Sequence, residues 1–235
     1  PDTVAAFFAE PLMGVGGVLL PPKGYFENVK AVLDKYDVLL VDDEVITGFG
    51  RTGELWGAQT FGMQPTTLTA AKALSSSYLP ISAVIVPEFL YEPMVEASSE
   101  AGLFAHGFTY SGHPVAAAVA LRTLEIYEER KLYDHVRKIA PRFQERLRAF
   151  ASHPLVGDAR GIGLLGACEL VQNKATKAAF DAKLGVGAKC MQLCQDQGLI
   201  VRAIGDAVAL CPPYIVTESD IDEIFERFGR GLDAT

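Results

Sequence analysis

In "TAAKALSSSYLP", residues 69–80, Lys72 is the one formally charged residue between Glu54 and Glu88. An ammonium set among Ala, Leu, Ser and Thr either finds a counter-charge or gives up its proton, and the neutral amine is the nucleophile of Schiff-base chemistry. A lysine that snorkels from the surface needs no such chemistry, and its neighbours alone leave the two readings level.

Carboxylates form the second candidate group. "VLLVDDEV" is an apolar run ending in Asp42, Asp43 and Glu44. Strand residues two apart share a face, so Asp43 and Val45 are expected on one side. A carboxylate beside an apolar side chain suits a heteroaromatic ligand that lies on Val45 with a ring nitrogen facing the acid. The plainer reading is a strand-end acid capping a neighbouring loop, and the segment alone favours it. The run also resembles the Asp-Glu strand of nucleotide hydrolases, but their phosphate loop, G-x-x-x-x-G-K-[ST], occurs nowhere in the sequence.

Other motifs carry less. "GIGLLG" at 161–166 matches G-x-G-x-x-G, yet the residues after it read as a strand rather than a helix, so it is expected to be a turn into a strand. Ser111 and His113 in "FTYSGHPV" are two apart without a G-x-S-x-G elbow, and read as a polar loop before a helix at Pro114. Cys190 and Cys194 share a helix face, but no further ligands stand at zinc spacing, so no metal site is expected.

Periodicity marks the elements that must position these residues. "TVAAFFAEPL" and "DVLLVDDEV" read as strands buried on both faces, and "GYFENVKAVLDKYD" between them as a helix, which makes the two strands parallel. "TTLTAA" and "ISAVIVP" read as strands flanking Lys72. A long helical stretch then runs from about Pro114 to Phe150, broken near Arg130 and at Pro141. Beyond it come a strand at "LLGACELV", a helix at "GVGAKCMQLCQDQG" closed by Gly198, a hairpin at "LIVRAIGDAVALCPPYIV", and a final helix capped by Thr217. The class is α/β with a boundary near residue 150 and a smaller α+β unit, 151–235, behind it. Open α/β sheets place ligands at strand ends, where Lys72 and the carboxylates fall.

Composition excludes some partners. A net charge of -8 and a pI near 5.1 argue against nucleic-acid binding, and no apolar run is long enough to span a membrane. The basic stretch "RKIAPRFQERLR" spaces its charges as a solvated helix face. Four cysteines without framework spacing fit a cytoplasmic, reducing setting.

Taken together, "EPLMGVGGVLLPP", "LLVDDEVITGFGRTGELWG", "TAAKALSSSYLPISAV" and "HGFTYSGHPVAAA" resemble, in order and spacing, the class III, fold-type I aminotransferases that depend on pyridoxal phosphate. The resemblance extends to "IVRAIGDAVALCPP". It implies that residues 1–150 are part of the large cofactor-binding domain, a mostly parallel sheet flanked by helices, with its long connecting helix.

By that resemblance, Lys72 would hold the cofactor as a Schiff base, Asp43 would face its pyridine nitrogen, and Val45 would pack on the ring. Thr109 matches the threonine that reaches the phosphate of the neighbouring subunit, which implies a homodimer. Ile46 stands where ornithine- and GABA-type members carry Gln, and Val15 where they carry Glu, so the pocket resembles the more apolar amine:pyruvate (ω-transaminase) type. Arg202 matches the mobile arginine that pairs with a substrate carboxylate; its plainer reading is a structural pair with Asp206. Glu10 matches a family glutamate without an assigned role.

The family's N-terminal phosphate loop and stacking aromatic have no counterpart here, and the sequence begins at Pro1 without Met. The chain is therefore expected to be the C-terminal part of a longer enzyme that moves an amino group from a primary amine or ω-amino acid to pyruvate. The alternatives are an aminomutase or decarboxylase on the same scaffold, or a non-catalytic chain that only dimerises.

Overall fold

The structure, a computed structural model, describes residues 3–235; Pro1 lies outside them. Strand β1 (Ala6–Ala9), helix α1 (Tyr25–Lys35) and strand β2 (Leu39–Asp43) form the expected unit, with β1 and β2 parallel and Ala9 opposite Asp42. Helix α1 starts after Gly24, whose φ of 78° suits a residue without Cβ, and it buries Phe26 and Leu33 beneath the sheet. Helix α2 (Gly57–Phe61), which no periodicity marks, precedes β3 (Thr67–Ala70). Strand β3 runs parallel to β2, β4 (Ala83–Ile85) runs antiparallel to β3, and the sheet order is β1-β2-β3-β4.

Strand β1 departs from the expectation of burial on both faces. It is the edge of this sheet, and Phe8 is 69% exposed. Its apolar run carries no information about whether a neighbour covers it.

Helix α3 (Glu88–Ala101), also unforeseen, contributes no buried residue. Helices α4 (Pro114–Glu129) and α5 (Leu132–Ala149) then separate at Arg130–Lys131, as the sequence predicts. Pro141 does not break α5. The helix buries Val136, Ile139, Phe143 and Leu147 along one face, and burial at roughly 1.5–3 kcal/mol per large apolar side chain outweighs one missing backbone hydrogen bond.

The second sheet, β5-β6-β8-β7, is antiparallel throughout. It consists of β5 (Val156–Ile162), β6 (Leu165–Leu170), β7 (Arg202–Ile204) and β8 (Ala207–Leu210). "GIGLLG" is the β5–β6 hairpin itself, turning at Gly163. Helix α6 (Val186–Asp196) and helix α7 (Glu218–Asp233) cover this sheet's far side, with Cys190 and Cys194 buried. Thr217 caps α7 as expected: its hydroxyl accepts from the Asp220 N–H while Asp220 accepts from the Thr217 N–H. One apolar core joins both sheets, from Phe49 and Leu68 through Phe143 to Phe225 and Leu232. No helix of the described residues is long and apolar enough to cross a membrane.

Candidate active site

Parallel pairing of β2 with β3 sets Asp43 opposite Thr69, and Lys72 follows three residues later. The carboxylate and the amine therefore stand at the C-terminal ends of adjacent strands. A short 3-10 turn, Lys72–Leu74, leaves β3, with Lys72 in the left-handed region at φ 43° and Ser76 and Ser77 at 49° and 65°. Such backbone costs on the order of 1 kcal/mol or more per non-glycine residue and persists only where surroundings hold it. Lys72 is exposed to the space above the sheet, so the burial its apolar neighbours imply is not realised. Those neighbours turn inward instead: Leu74 and Ser75 are buried.

A cavity of about 710 Å³ opens here, and Lys72, Val45, Ile46, Val15 and Arg202 all line it. The sequence places these five across nearly 190 positions; the fold brings them to one space. Asp43 does not share it. It lines a neighbouring cavity of about 470 Å³ with Glu10 and Phe26. Strand alternation fails as a guide because β2 ends at Asp43, and Val45 already lies in the following turn. The Asp43 carboxylate accepts the Val45 N–H at 3.0 Å, so it caps that turn as well as facing outward. Thr109 lines neither cavity and lies on the exposed loop before α4.

Three contacts that sequence reasoning missed hold the cavity walls. Arg160 on β5 donates to the carbonyls of Gly17 and Val18 at 2.6 and 3.1 Å and pairs with Asp158 and Glu169. It thereby fixes the turn carrying Val15, where Gly17 and Val18 both have positive φ. Arg51 donates to the carbonyls of Leu164 and Pro212, and Tyr127 donates to that of Ala73 at 2.7 Å. Partners so distant in the chain leave no local pattern, though an Arg among glycines in "GFGRTG" is a signal of tight packing. Glu10, left without a role by the sequence, accepts the Gly14 N–H at 2.9 Å and steadies the same turn.

Electrostatics separate the three acids of β2 and its end. Glu44 is buried and accepts from the Gly57 and Ala58 N–H groups at 2.9 and 2.7 Å and from the Thr47 hydroxyl. Asp42 is also buried, and among the described residues neither of its oxygens meets a donor. Burial, reinforced by Glu44 and then Asp43, pushes its carboxyl up to about 8. Arg202 makes no ion pair among the described residues; Asp206, its partner in the plainer reading, instead accepts the Gly187 N–H at 2.9 Å. Arg202 itself is exposed and lines the cavity.

An amine and an apolar wall in one cavity fit the aldehyde and ring face of pyridoxal phosphate, while the Asp43 carboxylate stands at the end of the adjacent strand and lines the neighbouring cavity. The aminotransferase class-III family model matches residues 1–232. A probable gamma-aminobutyrate transaminase 3, mitochondrial, of Oryza sativa subsp. indica is 49% identical over all 235 residues, which cover 46% of that protein. A gamma aminobutyrate transaminase 3, chloroplastic, of Solanum lycopersicum is 47% identical over the same span, 45% of its length. The chain thus spans about half the length of the curated relatives it matches. Among solved structures, the omega transaminase from Pseudomonas jessenii in complex with PMP superposes with a TM-score of 0.95 at 48% identity, covering all of this chain and 52% of that one.

Proposed function

Because the chain belongs to the class III aminotransferases, whose members depend on pyridoxal phosphate, we propose that it carries the catalytic lysine of a transaminase moving an amino group from a primary amine or ω-amino acid to pyruvate. The observation that carries this reading is that Lys72, Val45 and Arg202 line one cavity, with Asp43 at the end of the adjacent strand.

When bound, the cofactor supplies an electron sink for the bond cleaved at the substrate's Cα. Lys72 would hold the cofactor through Nζ, and its amine would move the proton of the substrate's Cα. The Asp43 carboxylate, at the end of the strand next to Lys72, would face the ring nitrogen and hold its proton. Val45 packs on the ring, and Val45, Ile46 and Val15 exclude water from the reacting carbon. Arg202 binds a carboxylate through a bidentate pair, and its lack of a structural partner leaves it able to withdraw when the substrate is an uncharged amine. The curated relatives' names supply γ-aminobutyrate as the ω-amino acid to try first.

In this reading residues 1–150 belong to the cofactor-binding domain, and residues 151–235 form the small domain that contributes Arg202. The protein acts as a homodimer in which Thr109 reaches the cofactor phosphate of the neighbouring subunit; its place on an exposed loop, outside the lining of both cavities, supports that role. The test is an assay of full-length protein with amine donors, γ-aminobutyrate among them, against pyruvate and 2-oxoglutarate. Preference for pyruvate is expected; preference for 2-oxoglutarate would overturn the argument from Ile46 and Val15.

A further inference from the structure

Tyr127 is buried on α4 and lines the same cavity as Lys72. Its hydroxyl donates to the carbonyl of Ala73, the residue after the lysine, at 2.7 Å. Among the described residues, it is the one side chain from outside the 71–79 segment that hydrogen-bonds to it. The segment needs such a hold, because Lys72, Ser76 and Ser77 all have positive φ, and its remaining bonds are local: Leu74 N–H to Ala71, Ser75 N–H to Lys72, Ser76 N–H to Ala73, Tyr78 N–H to Ser75, and the Ser75 hydroxyl to the Leu79 carbonyl. The Tyr127 ring is itself fixed edge-on between Tyr133 and Tyr214, with centroids 6.2 and 5.8 Å away. Burial also raises the proton affinity of its oxygen, so it stays a donor through the working pH range.

We propose that Tyr127 is a positioning residue for the lysine: its hydroxyl locks the strained Lys72 turn so that Nζ is presented to the cavity before a carbonyl ligand arrives. The proposal rests on the reading of Lys72 as the cofactor lysine. No bond to the phenol forms or breaks; it acts through the Ala73 carbonyl.

The test compares full-length protein with Tyr127→Phe, which keeps the ring, and with Tyr133→Phe, whose phenol makes no bond to the segment. Two measurements are made: hydrogen exchange of the Ser75–Ser77 amides in cofactor-free protein, and the rate and apparent pKa of the visible absorbance formed when pyridoxal phosphate is added. Tyr127→Phe is expected to speed exchange about 5- to 10-fold, the loss of one net hydrogen bond, and to slow cofactor capture by a similar factor while shifting the chromophore's pKa. Tyr133→Phe should change neither. Unaltered exchange and pKa in Tyr127→Phe would overturn the proposal, as would a variant that fails to fold, since the phenol would then serve the core as a whole. Wild-type protein that gives no Lys72-dependent absorbance would sink the cofactor reading instead, and the proposal with it.

Discussion

The Arg51 guanidinium lies over the ring of Tyr214, 4.4 Å from its centroid. The pair joins the turn after β2 to the segment after β8, and each partner is also anchored across that seam. Arg51 donates to Leu164 and Pro212, and the Tyr214 hydroxyl donates to Gly48. Because Val45 and Ile46 lead into Arg51 while Arg202 pairs through β7 with β8, this seam sets the two walls of the cavity relative to each other.

Replacing Arg51 with Lys should therefore cost about 2 kcal/mol, since an ammonium cannot reach both carbonyls and stack at once. Tyr214→Phe, which keeps the stacked ring and loses one hydroxyl bond, should cost about 1 kcal/mol or less. Denaturant unfolding of both variants checks the ranking; a Lys variant as stable as wild type would show that the seam is held elsewhere.

Asp42 gives the protein a pH dependence of defined sign. Its folded-state value, about 8, lies above its ordinary 3.8, so between those values the folded state binds the extra proton. Stability contributed by this group is complete below about pH 4, declines as pH rises toward 8, and is gone above it. One proton limits the slope to about 1.4 kcal/mol per pH unit. Asp42→Asn, neutral at every pH, should flatten the decline and be the more stable protein at pH 9. Parallel stability profiles for the two proteins would contradict a protonated Asp42.

Gly163 tests whether "GIGLLG" serves packing. Its φ is +57°, and an added Cβ would lie 2.3 Å from the Arg51 carbonyl oxygen. Gly163→Ala should destabilise by about 2–4 kcal/mol through backbone strain and overlap, without altering affinity for any nucleotide. Thermal unfolding together with a nucleotide-binding titration separates the two roles.

Arg202→Leu should raise KM for a carboxylate substrate such as pyruvate roughly 10- to 100-fold, the worth of one charge-assisted bidentate pair, and leave the KM of an uncharged amine near its wild-type value. Steady-state kinetics of the full-length protein read both constants. An equal rise for both substrates would place Arg202 in the fold rather than at the carboxylate.

Lys72→Ala should abolish the visible absorbance of protein mixed with pyridoxal phosphate and lower turnover by roughly 1,000-fold or more, on the order expected when a covalent and proton-transferring group is removed. Spectra and single-turnover rates check this, and absorbance that persists in the variant would point to another lysine.

The sequence by itself determined most of the strands and helices, though not α2, α3 or β5, and the residues at the ends of β2 and β3. Apolar period and caps such as Thr217 are local properties that a chain carries wherever it folds. It also singled out Lys72, because an isolated charge among apolar residues is visible without coordinates. Only the tertiary structure decided which of these residues meet. It put Asp43 in a different cavity from Lys72, β2 ending at Asp43, two residues before Val45, exposed β1 as an edge, and carried α5 through Pro141 by burying its apolar face. It also recruited Arg51, Tyr127 and Arg160, whose backbone carbonyl partners lie 54 to 161 positions away, a separation at which hydrogen bonds leave no trace in local sequence.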